Sequence, residues 1–334
     1  MTKSKKINTA TKSIVIIGAQ GFKGQNLLKH LEKNKQYKKV VVIDSKKPNV
    51  TLKKTKFYKL DLTETLADVT LTDILKKEKC DTLIHSAIPT TPPHNESHSH
   101  EFVAIGSYYI FNACAAANVR KIILASTADI YGAFPSNPNY LTEKMPLRGY
   151  QHSQFLADKI DAEKQALKYQ KKYPNRIVTI LRSCTTLGPT INSYKTRYFQ
   201  RPVVTTMLGF DPLLQFVHED DVINVLLTFI NKDHKGIFNL AGDGVLPLSR
   251  VIELCGKTNL KLTQIGFKSL VQMLWMLDLS PAPASHVNFL RYLCIADNQK
   301  IKNDVGFTPQ YTTKEALMSF VSAERLRELN LKEV

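Results

Sequence analysis

Residues 13–24 read SIVIIGAQGFKG and carry the strongest structural signal in the sequence. Its first five residues form a short run rich in β-branched side chains, which is typical of a buried strand. Three glycines follow at a fixed spacing, Gly18, Gly21 and Gly24. Glycines so placed permit a tight turn, let the backbone approach a pyrophosphate, and let helix and strand pack closely. A helix is predicted to follow from Phe22, because the apolar residues of 22–34 have helical spacing.

An acidic residue ends the next apolar run. Asp44 follows residues 40–43 and lies 20 residues after Gly24. A strand, a glycine turn, a helix and an acid at this distance together predict dinucleotide binding, with the pyrophosphate at the helix N-terminus and the ribose hydroxyls on Asp44. The carboxylate favours NAD, since it would repel a 2′-phosphate. Lys46 and Lys47 could offset that repulsion, so NADP stays an alternative.

Short apolar runs alternate with helical stretches over the first 182 residues, in six or seven units. This alternation predicts an α/β fold with a doubly wound parallel sheet, the Rossmann type. The pattern loosens after Arg182, and the chain is expected to be mostly helical from residue 246. We therefore expect a flexible basic leader at residues 1–12 and an NAD-binding domain at 13–182 with about 215–241. A smaller, mostly helical substrate lobe is expected at 183–214 with 242–334.

Composition excludes several classes of protein. Of the 334 residues 43% are hydrophobic and 22% charged, which is ordinary for a globular protein. No apolar run approaches the roughly 20 residues that span a bilayer, and the basic start leads into too few apolar residues for a secretory signal. Five scattered cysteines without a CxxC pattern favour reduced thiols. We expect a cytoplasmic protein without stable membrane insertion.

The net charge is +17, but only ten of the 46 basic residues are arginine. Proteins that recognise nucleic acids usually rely on arginine for forked contacts. We interpret the charge as lysine spread along the chain and expect no nucleic-acid partner. The densest region, residues 29–60, holds eleven lysines and could attract an anion.

Several further motifs resemble one family. The resemblance begins with the glycine motif. It continues through Asp61-Leu62, HSAIPT (85–90), STADIYG (126–132), TEKMPLRGYQHSQ (142–154), LRSCTTLGP (181–189), QFVHEDDV (215–222), GIFNLAGDG (236–244) and DVGFTPQYTT (304–313). From about residue 13 to 320, the chain resembles the extended short-chain dehydrogenase/reductases, and within them the NAD-dependent epimerase/dehydratase family.

The resemblance implies NAD-dependent hydride transfer at a secondary alcohol or ketone, for example as a half-reaction of a nucleotide-sugar epimerase. It also implies a homodimer through the helices at 101–117 and 150–171. Asp61 would hold the adenine amino group beside Leu62, or would cap a loop. The resemblance places further cofactor contacts at Phe22, Ser86, Ala87, Ser126 and Thr185.

Catalysis in this family needs a hydroxyl that orients the substrate and a tyrosine that moves a proton, in a YxxxK pattern. Thr127 occupies the Ser/Thr position. Tyr140 fits YxxxK literally through Lys144, but Pro146 follows closely and disfavours a helix there. Tyr150 opens a stretch free of Pro and Gly until residue 174, so we expect it to share a helix face with Gln154 and to be the acid/base.

Gln154 then stands where the family has lysine. A neutral amide can bind the nicotinamide ribose but cannot lower the pKa of a tyrosine. Lys159, five residues on, is expected roughly 140° around the helix and unable to substitute. Two alternatives therefore stay open: a catalytically weak or dead dinucleotide sensor, and a 3β-hydroxysteroid-dehydrogenase-like enzyme with an apolar wall at residues 270–279.

Two other segments are ambiguous. The sequence HNESHSH places His94, His98 and His100 within seven residues. We interpret it as a polar loop over the active-site mouth and expect no metal, although substrate contact is an alternative. The stretch LVQMLWML at 270–277 is expected to be a buried helix or a pocket wall rather than a membrane contact.

Overall fold

The computed structural model describes residues 13–151 and 153–330, so the leader lies outside the described residues. The strands are β1 (Ser13–Ile17), β2 (Lys39–Asp44), β3 (Thr55–Lys59), β4 (Cys80–His85), β5 (Lys121–Thr127), β6 (Ile177–Ser183), β7 (Thr185–Leu187), β8 (Val203–Met207), β9 (Leu213–Leu214), β10 (Phe216–His218), β11 (Gly236–Leu240), β12 (Leu246–Pro247) and β13 (Thr258–Leu262). The helices are α1 (Phe22–Lys33), α2 (Ala67–Lys77), α3 (Glu96–His100), α4 (Gly106–Ala116), α5 (Gln154–Lys172), α6 (Tyr194–Gln200), α7 (Glu219–Asn231), α8 (Leu248–Leu254), α9 (Gln264–Met276) and α10 (Thr313–Asn330). Shorter 3₁₀ or π turns span Glu101–Ile105, Ala128–Tyr131, Gly149–Gln151, Ala284–Leu290 and Ile301–Val305.

Seven parallel strands form the central sheet in the order β3-β2-β1-β4-β5-β6-β11. The chain winds outward from β1 in one direction to β3, then returns to β4 and winds in the other. The prediction of a doubly wound α/β fold is therefore confirmed. The order reverses between β1 and β4, and ligands of such sheets bind in the crevice beyond the carboxyl ends of the strands at this point.

The sheet is covered on both faces. Leu27 and Leu31 of α1 and Val222 of α7 pack in one buried cluster with Ile16 of β1. A second cluster joins apolar side chains of α2, α4 and α5 to the opposite face of the sheet. Burial on both faces explains why β1, β2 and β5 are continuous apolar runs rather than alternating ones.

The C-terminal part is less purely helical than expected. Besides α8, α9 and α10 it contains β13, which pairs in parallel with β8, and β12, which pairs with β9. Residues between 187 and 321 form two hydrophobic clusters of their own, one of them around Phe267. The division into domains stays a prediction. Within the described ranges, no helix has the length and apolar character needed to cross a bilayer.

Candidate active site

The glycine turn is a tight backbone cradle. Gly18 has φ +89°, and a Cβ there would lie 2.3 Å from the backbone nitrogen of Ala87. A Cβ at Gly24 would lie 2.3 Å from the carbonyl oxygen of Gly18, so only glycine lets α1 pack this closely on the turn. A Cβ at Gly21 would instead have its nearest neighbour, the Gly18 carbonyl oxygen, at 3.8 Å, and Gly21 precedes α1 without a side-chain cap. No side chain of the cap residue therefore occupies the first N–H groups of α1.

Asp44 lies beside this cradle at the end of β2. Its carboxylate accepts hydrogen bonds from the backbone N–H of Gln20 at 2.9 Å and of Ser45 at 2.8 Å. Burial raises the pKa of Asp44, and these N–H donors partly oppose the rise. The side chain is half-buried, so it can still accept bonds from a ligand. Lys46 and Lys47 are exposed just beyond it.

The other predicted nucleotide contacts have mixed surroundings. Asp61 accepts hydrogen bonds from the backbone and hydroxyl of Thr63, as a loop cap does, while Leu62 is buried. The Ser86 hydroxyl donates to the carbonyl oxygens of Ile17 and Gly18 and so fixes the turn from behind. The roles of these residues in binding a cofactor stay predictions.

A cavity opens at the carboxyl ends of β4, β5 and β6. We call it the inner cavity, and its lining includes Phe22, Lys23, Ile88, Ser126, Thr127 and Lys159. The predicted residues Phe22, Ser126 and Thr127 thus come together at the switch point. The Ser126 hydroxyl is buried without a hydrogen-bond partner, and the Thr127 hydroxyl accepts from the N–H of Asp129. An unpaired buried hydroxyl beside the glycine cradle fits a site for a polar ligand.

Tyr150 and Gln154 do not share a helix face, so this expectation is wrong. Ser153 caps α5, which begins only at Gln154, and Tyr150 lies in the preceding 3₁₀ turn with 54% of its surface exposed. Gln154 is exposed too, and its amide donates to Asp158 at 2.8 Å. Neither residue is among those that line the inner cavity.

Lys159 lies in the inner cavity instead, which corrects the expectation that it would face away. Because α5 starts late, the helix turns Lys159 toward the ends of β5 and β6, where it is only 4% exposed. Its ammonium lies 3.7 Å from the centroid of the Phe155 ring. Phe155 is four residues before Lys159, so the YxxxK spacing that ends at this lysine begins with a residue that has no hydroxyl. A search for a lysine four residues after any aromatic residue could have identified Lys159 from the sequence, whereas a search for YxxxK could not.

A second, mostly apolar cavity adjoins the first. This outer cavity includes Tyr198, Phe199, Arg201, Phe267, Leu274 and Leu290. The two cavities share five residues, which therefore mark where they meet: Asp129, Cys184, Thr185, Tyr194 and Lys195. Of these, only Thr185 was predicted from the sequence. Tyr194 and Lys195 were missed because residues 188–214 were expected to be irregular, whereas in the structure these two residues begin the short helix α6.

An ion pair organises this junction. The Lys195 ammonium lies 2.6 Å from the Asp129 carboxylate and donates to the Thr185 hydroxyl at 2.9 Å. Burial alone would raise the pKa of Asp129, but Lys195 outweighs it and the pKa is lowered. Burial, reinforced by the charge of Asp129, raises the pKa of Tyr194 well above its usual value. The junction thus holds an ionised carboxylate and a protonated phenol.

Two histidines of the 94–100 segment have aromatic or carboxylate partners. The His94 ring stacks on Trp275 of α9 at 3.7 Å between centroids, and its Nε2 lies 2.8 Å from Asp278. His100 pairs with Asp158, a hydrogen bond that raises the pKa of the histidine. No group of three or more potential metal ligands occurs within residues 13–151 and 153–330. Val271 and Leu274 of α9 do form a pocket wall.

The chain is similar in sequence or in fold to several known proteins. The uncharacterised protein Rv0501 of Mycobacterium tuberculosis is 27% identical over 320 residues, or 91% of this chain and 82% of that protein. The NAD complex of dTDP-glucose 4,6-dehydratase from Bacillus anthracis has a TM-score of 0.73 at 18% identity, over 96% of this chain and 98% of its own. UDP-glucose 4-epimerase from Thermotoga maritima, with UDP-glucose, has a TM-score of 0.72 at 19% identity, over 95% and 99%.

These two structures share the fold of the chain. A family model, described as the NAD dependent epimerase/dehydratase family, matches residues 14–241. The match confirms the family suggested by the sequence motifs and, with it, the general class of NAD-dependent oxidoreductase and isomerase chemistry. Since it spans more than half of the sequence and includes all of the central sheet except Ser13, the chain belongs to the NAD dependent epimerase/dehydratase family.

Proposed function

We propose that this chain transfers hydride between NAD and a secondary alcohol or ketone of a nucleotide-sugar. The observation that carries the proposal is the junction of the two cavities at Asp129, Tyr194 and Lys195. One cavity continues from the glycine cradle, as a dinucleotide site must, and the other lies beneath the substrate lobe. Their meeting point is where a substrate carbon and the nicotinamide would face each other.

The N–H groups at the start of α1 would bind the pyrophosphate, and Asp44 would accept hydrogen bonds from the adenosine ribose. The second half of the dinucleotide would extend past the switch point into the inner cavity, with Lys159 and the Ser126 hydroxyl as polar partners. When bound, the nicotinamide supplies or accepts the hydride.

The proton would move through Tyr194. Its buried hydroxyl lies at the junction and keeps its proton at neutral pH, because its pKa is raised. It can therefore protonate a carbonyl oxygen as hydride reaches the carbonyl carbon, giving the alcohol and oxidised dinucleotide. Asp129, held ionised by Lys195, would orient the phenol, and a water molecule entering after product release would return the proton to the phenolate. Thr127 would orient the substrate oxygen.

The substrate class is taken from similar structures that hold nucleotide-sugars, such as the Thermotoga maritima epimerase with UDP-glucose. Arg201 and Lys195 in the outer cavity offer the cationic contacts that a diphosphate needs, while the apolar lining would hold a base or sugar face. The test is turnover with UDP- and dTDP-linked hexoses plus NAD, followed by chromatography of products. A keto-sugar or epimerised product supports the proposal. Turnover of a hydroxysteroid alone would overturn the substrate class and favour the steroid-dehydrogenase alternative.

A second candidate function is dinucleotide binding without catalysis. The lack of a hydroxyl at Phe155, four residues before Lys159, favours it. Binding of NAD in calorimetry, combined with no product from any substrate that also binds, would select this candidate over the enzyme.

Cofactor preference gives a direct prediction. The wild type should bind NAD more tightly than NADP, since Asp44 accepts ribose hydroxyl bonds and repels a 2′-phosphate. Asp44→Ala should weaken NAD binding by about tenfold, which corresponds to the loss of one charge-assisted hydrogen bond. Calorimetry with both dinucleotides measures this. Asp68→Ala, which changes an acidic residue at the start of α2, is the control. Tighter binding of NADP by the wild type would contradict the assignment and implicate Lys46 and Lys47.

The assembly and location follow from the family resemblance. We infer a cytoplasmic homodimer that pairs through α4 and α5, where the large apolar side chains Tyr108 and Leu167 are 53% and 44% exposed. Sedimentation analysis checks the dimer, and a monomer at micromolar concentration would contradict it.

A further inference from the structure

The inner cavity carries more positive than negative charge. Three lysines line it, Lys23, Lys159 and Lys195, against the single carboxylate of Asp129, and Lys195 pairs with that carboxylate. The other two ammonium groups form no ion pair with any described carboxylate. Lys159 contacts the Phe155 ring, and Lys23 donates to the Ser126 carbonyl oxygen at 2.9 Å and the Ser183 hydroxyl at 2.8 Å.

Lys23 is part of the glycine motif itself. It follows Phe22 at the start of α1, so its backbone belongs to the phosphate end of the site while its side chain reaches the carboxyl ends of β5 and β6. A dinucleotide with its adenosine on Asp44 and its pyrophosphate on α1 must continue in that same direction. Its nicotinamide ring would therefore come to lie beside the Lys23 ammonium.

The redox state of the nicotinamide decides whether this contact is favourable. The oxidised ring carries a positive charge and the reduced ring carries none. An ammonium group a few ångströms away in a poorly solvated cavity repels the first and not the second. We propose that Lys23 makes this site bind the reduced dinucleotide more tightly than the oxidised one.

The proposal rests on the proposed function, because it requires a nicotinamide in the inner cavity. It adds that the reduced cofactor is bound more tightly than the oxidised one and names the residue responsible. Lys159 adds to the same field, whereas Asp129 opposes it. Burial raises the pKa of the nearby Cys184 thiol, which therefore stays neutral. Burial also lowers the pKa of Lys23 to about 8, with Asp129 opposing the shift.

The experiment compares the dissociation constants of NADH and NAD⁺, by the fluorescence of NADH and by calorimetry. The wild type should bind NADH at least about tenfold more tightly than NAD⁺. In Lys23→Met, which keeps an unbranched side chain and removes the charge, the ratio should fall toward one, chiefly through tighter binding of NAD⁺. Lys33→Met removes one charge from the exposed far end of the same helix and should leave the ratio unchanged.

A pH series provides a second test. Burial also lowers the pKa of Lys159, to about 7, so binding of NAD⁺ should strengthen as the pH rises from about 7 through about 8, where first Lys159 and then Lys23 lose their protons, while binding of NADH should change little. The Lys23 part of this rise should be missing in Lys23→Met. Equal affinities of the wild type for the two forms, or an unchanged ratio in Lys23→Met, would overturn the selection and leave the proposed function intact. Failure of every variant to bind either form would overturn both.

Discussion

Tyr194→Phe should lower kcat by about 10²–10⁴-fold, the usual contribution of a positioned acid or base. The phenol at the junction of the two cavities is the only group proposed to give the substrate oxygen its proton. The ring of phenylalanine keeps the packing, so the affinity for the dinucleotide and the KM should stay within about twofold. The measurement is steady-state turnover of whichever nucleotide-sugar proves to be the substrate, with dinucleotide binding measured separately.

Tyr150→Phe is the matched control for this variant. Tyr150 is exposed on a 3₁₀ turn, and its hydroxyl accepts a hydrogen bond from the side-chain amide of Gln151 at 3.3 Å. The change should leave kcat nearly unaltered. Loss of activity in Tyr150→Phe, together with retained activity in Tyr194→Phe, would mean that the 149–151 turn rearranges on substrate binding and that Tyr150 is the acid/base after all.

Glu163→Gln should lower the free energy of unfolding by about 3–5 kcal/mol, because it breaks a fully buried ion pair on one side only. Arg182 of β6 and Glu163 of α5 are 2% and 0% exposed, and their closest atoms are 2.6 Å apart. Arg182 also donates to the Tyr131 hydroxyl, so its position is fixed from two directions. The neutral amide would leave a buried guanidinium without a countercharge. Urea unfolding followed by circular dichroism measures the loss.

Two further variants show whether charge is the cause. Lys164→Met removes the exposed ion pair with Asp161 on the same helix and should change stability by less than about 0.5 kcal/mol. The double variant Glu163→Leu/Arg182→Met removes both buried charges and should be more stable than Glu163→Gln, since no unpaired ion remains. A double variant less stable than the single one would show that packing around the pair matters more than its charge.

The glycine turn and the sheet could be predicted from the sequence because their signals are local. Each signal lies within a short piece of sequence. They are the apolar run at 13–17, the spacing of Gly18, Gly21 and Gly24, and the acidic residue Asp44 at the end of the next run. Parallel strands buried on both faces are continuous apolar runs, so their positions were also visible. The structure agrees with these predictions strand by strand through β6.

The orientation of the side chains on α5 could not be predicted in the same way, because the residue at which a helix starts sets the direction of every later side chain. Ser153 caps α5 by accepting from the N–H of Leu156, which puts Tyr150 outside the helix. The prediction of Tyr150 as the acid/base assumed that the tyrosine of YxxxK is present in this chain. That assumption placed the lysine position of the pattern four residues later, at Gln154. In the structure, Glu163 of α5 is buried against Arg182, and Lys159 lies one helical turn before it. The Glu163–Arg182 contact joins residues that are distant in sequence, so it could not be used to place Lys159.

The junction residues were missed for a different reason. Tyr194 and Lys195 belong to a helix of seven residues, too short to show apolar periodicity, in a segment with several prolines. Asp129 follows the predicted Thr127 but gave no signal of its own. Only the folded chain shows that one carboxylate, one phenol and three ammonium groups converge on the inner cavity.

The seventh strand has a consequence for how the chain reaches this fold during synthesis. Gly236–Leu240 pairs with β6 although 53 positions (236 − 183) separate the two strands, and the intervening α7 covers one face of the sheet. Until the ribosome has released residues 219–240, β6 is an unprotected edge beside a bare apolar face, the condition that favours association between nascent chains. The nucleotide-binding half therefore cannot mature as an independent N-terminal unit, and a stop codon within the last strand of the sheet would release an aggregation-prone polypeptide.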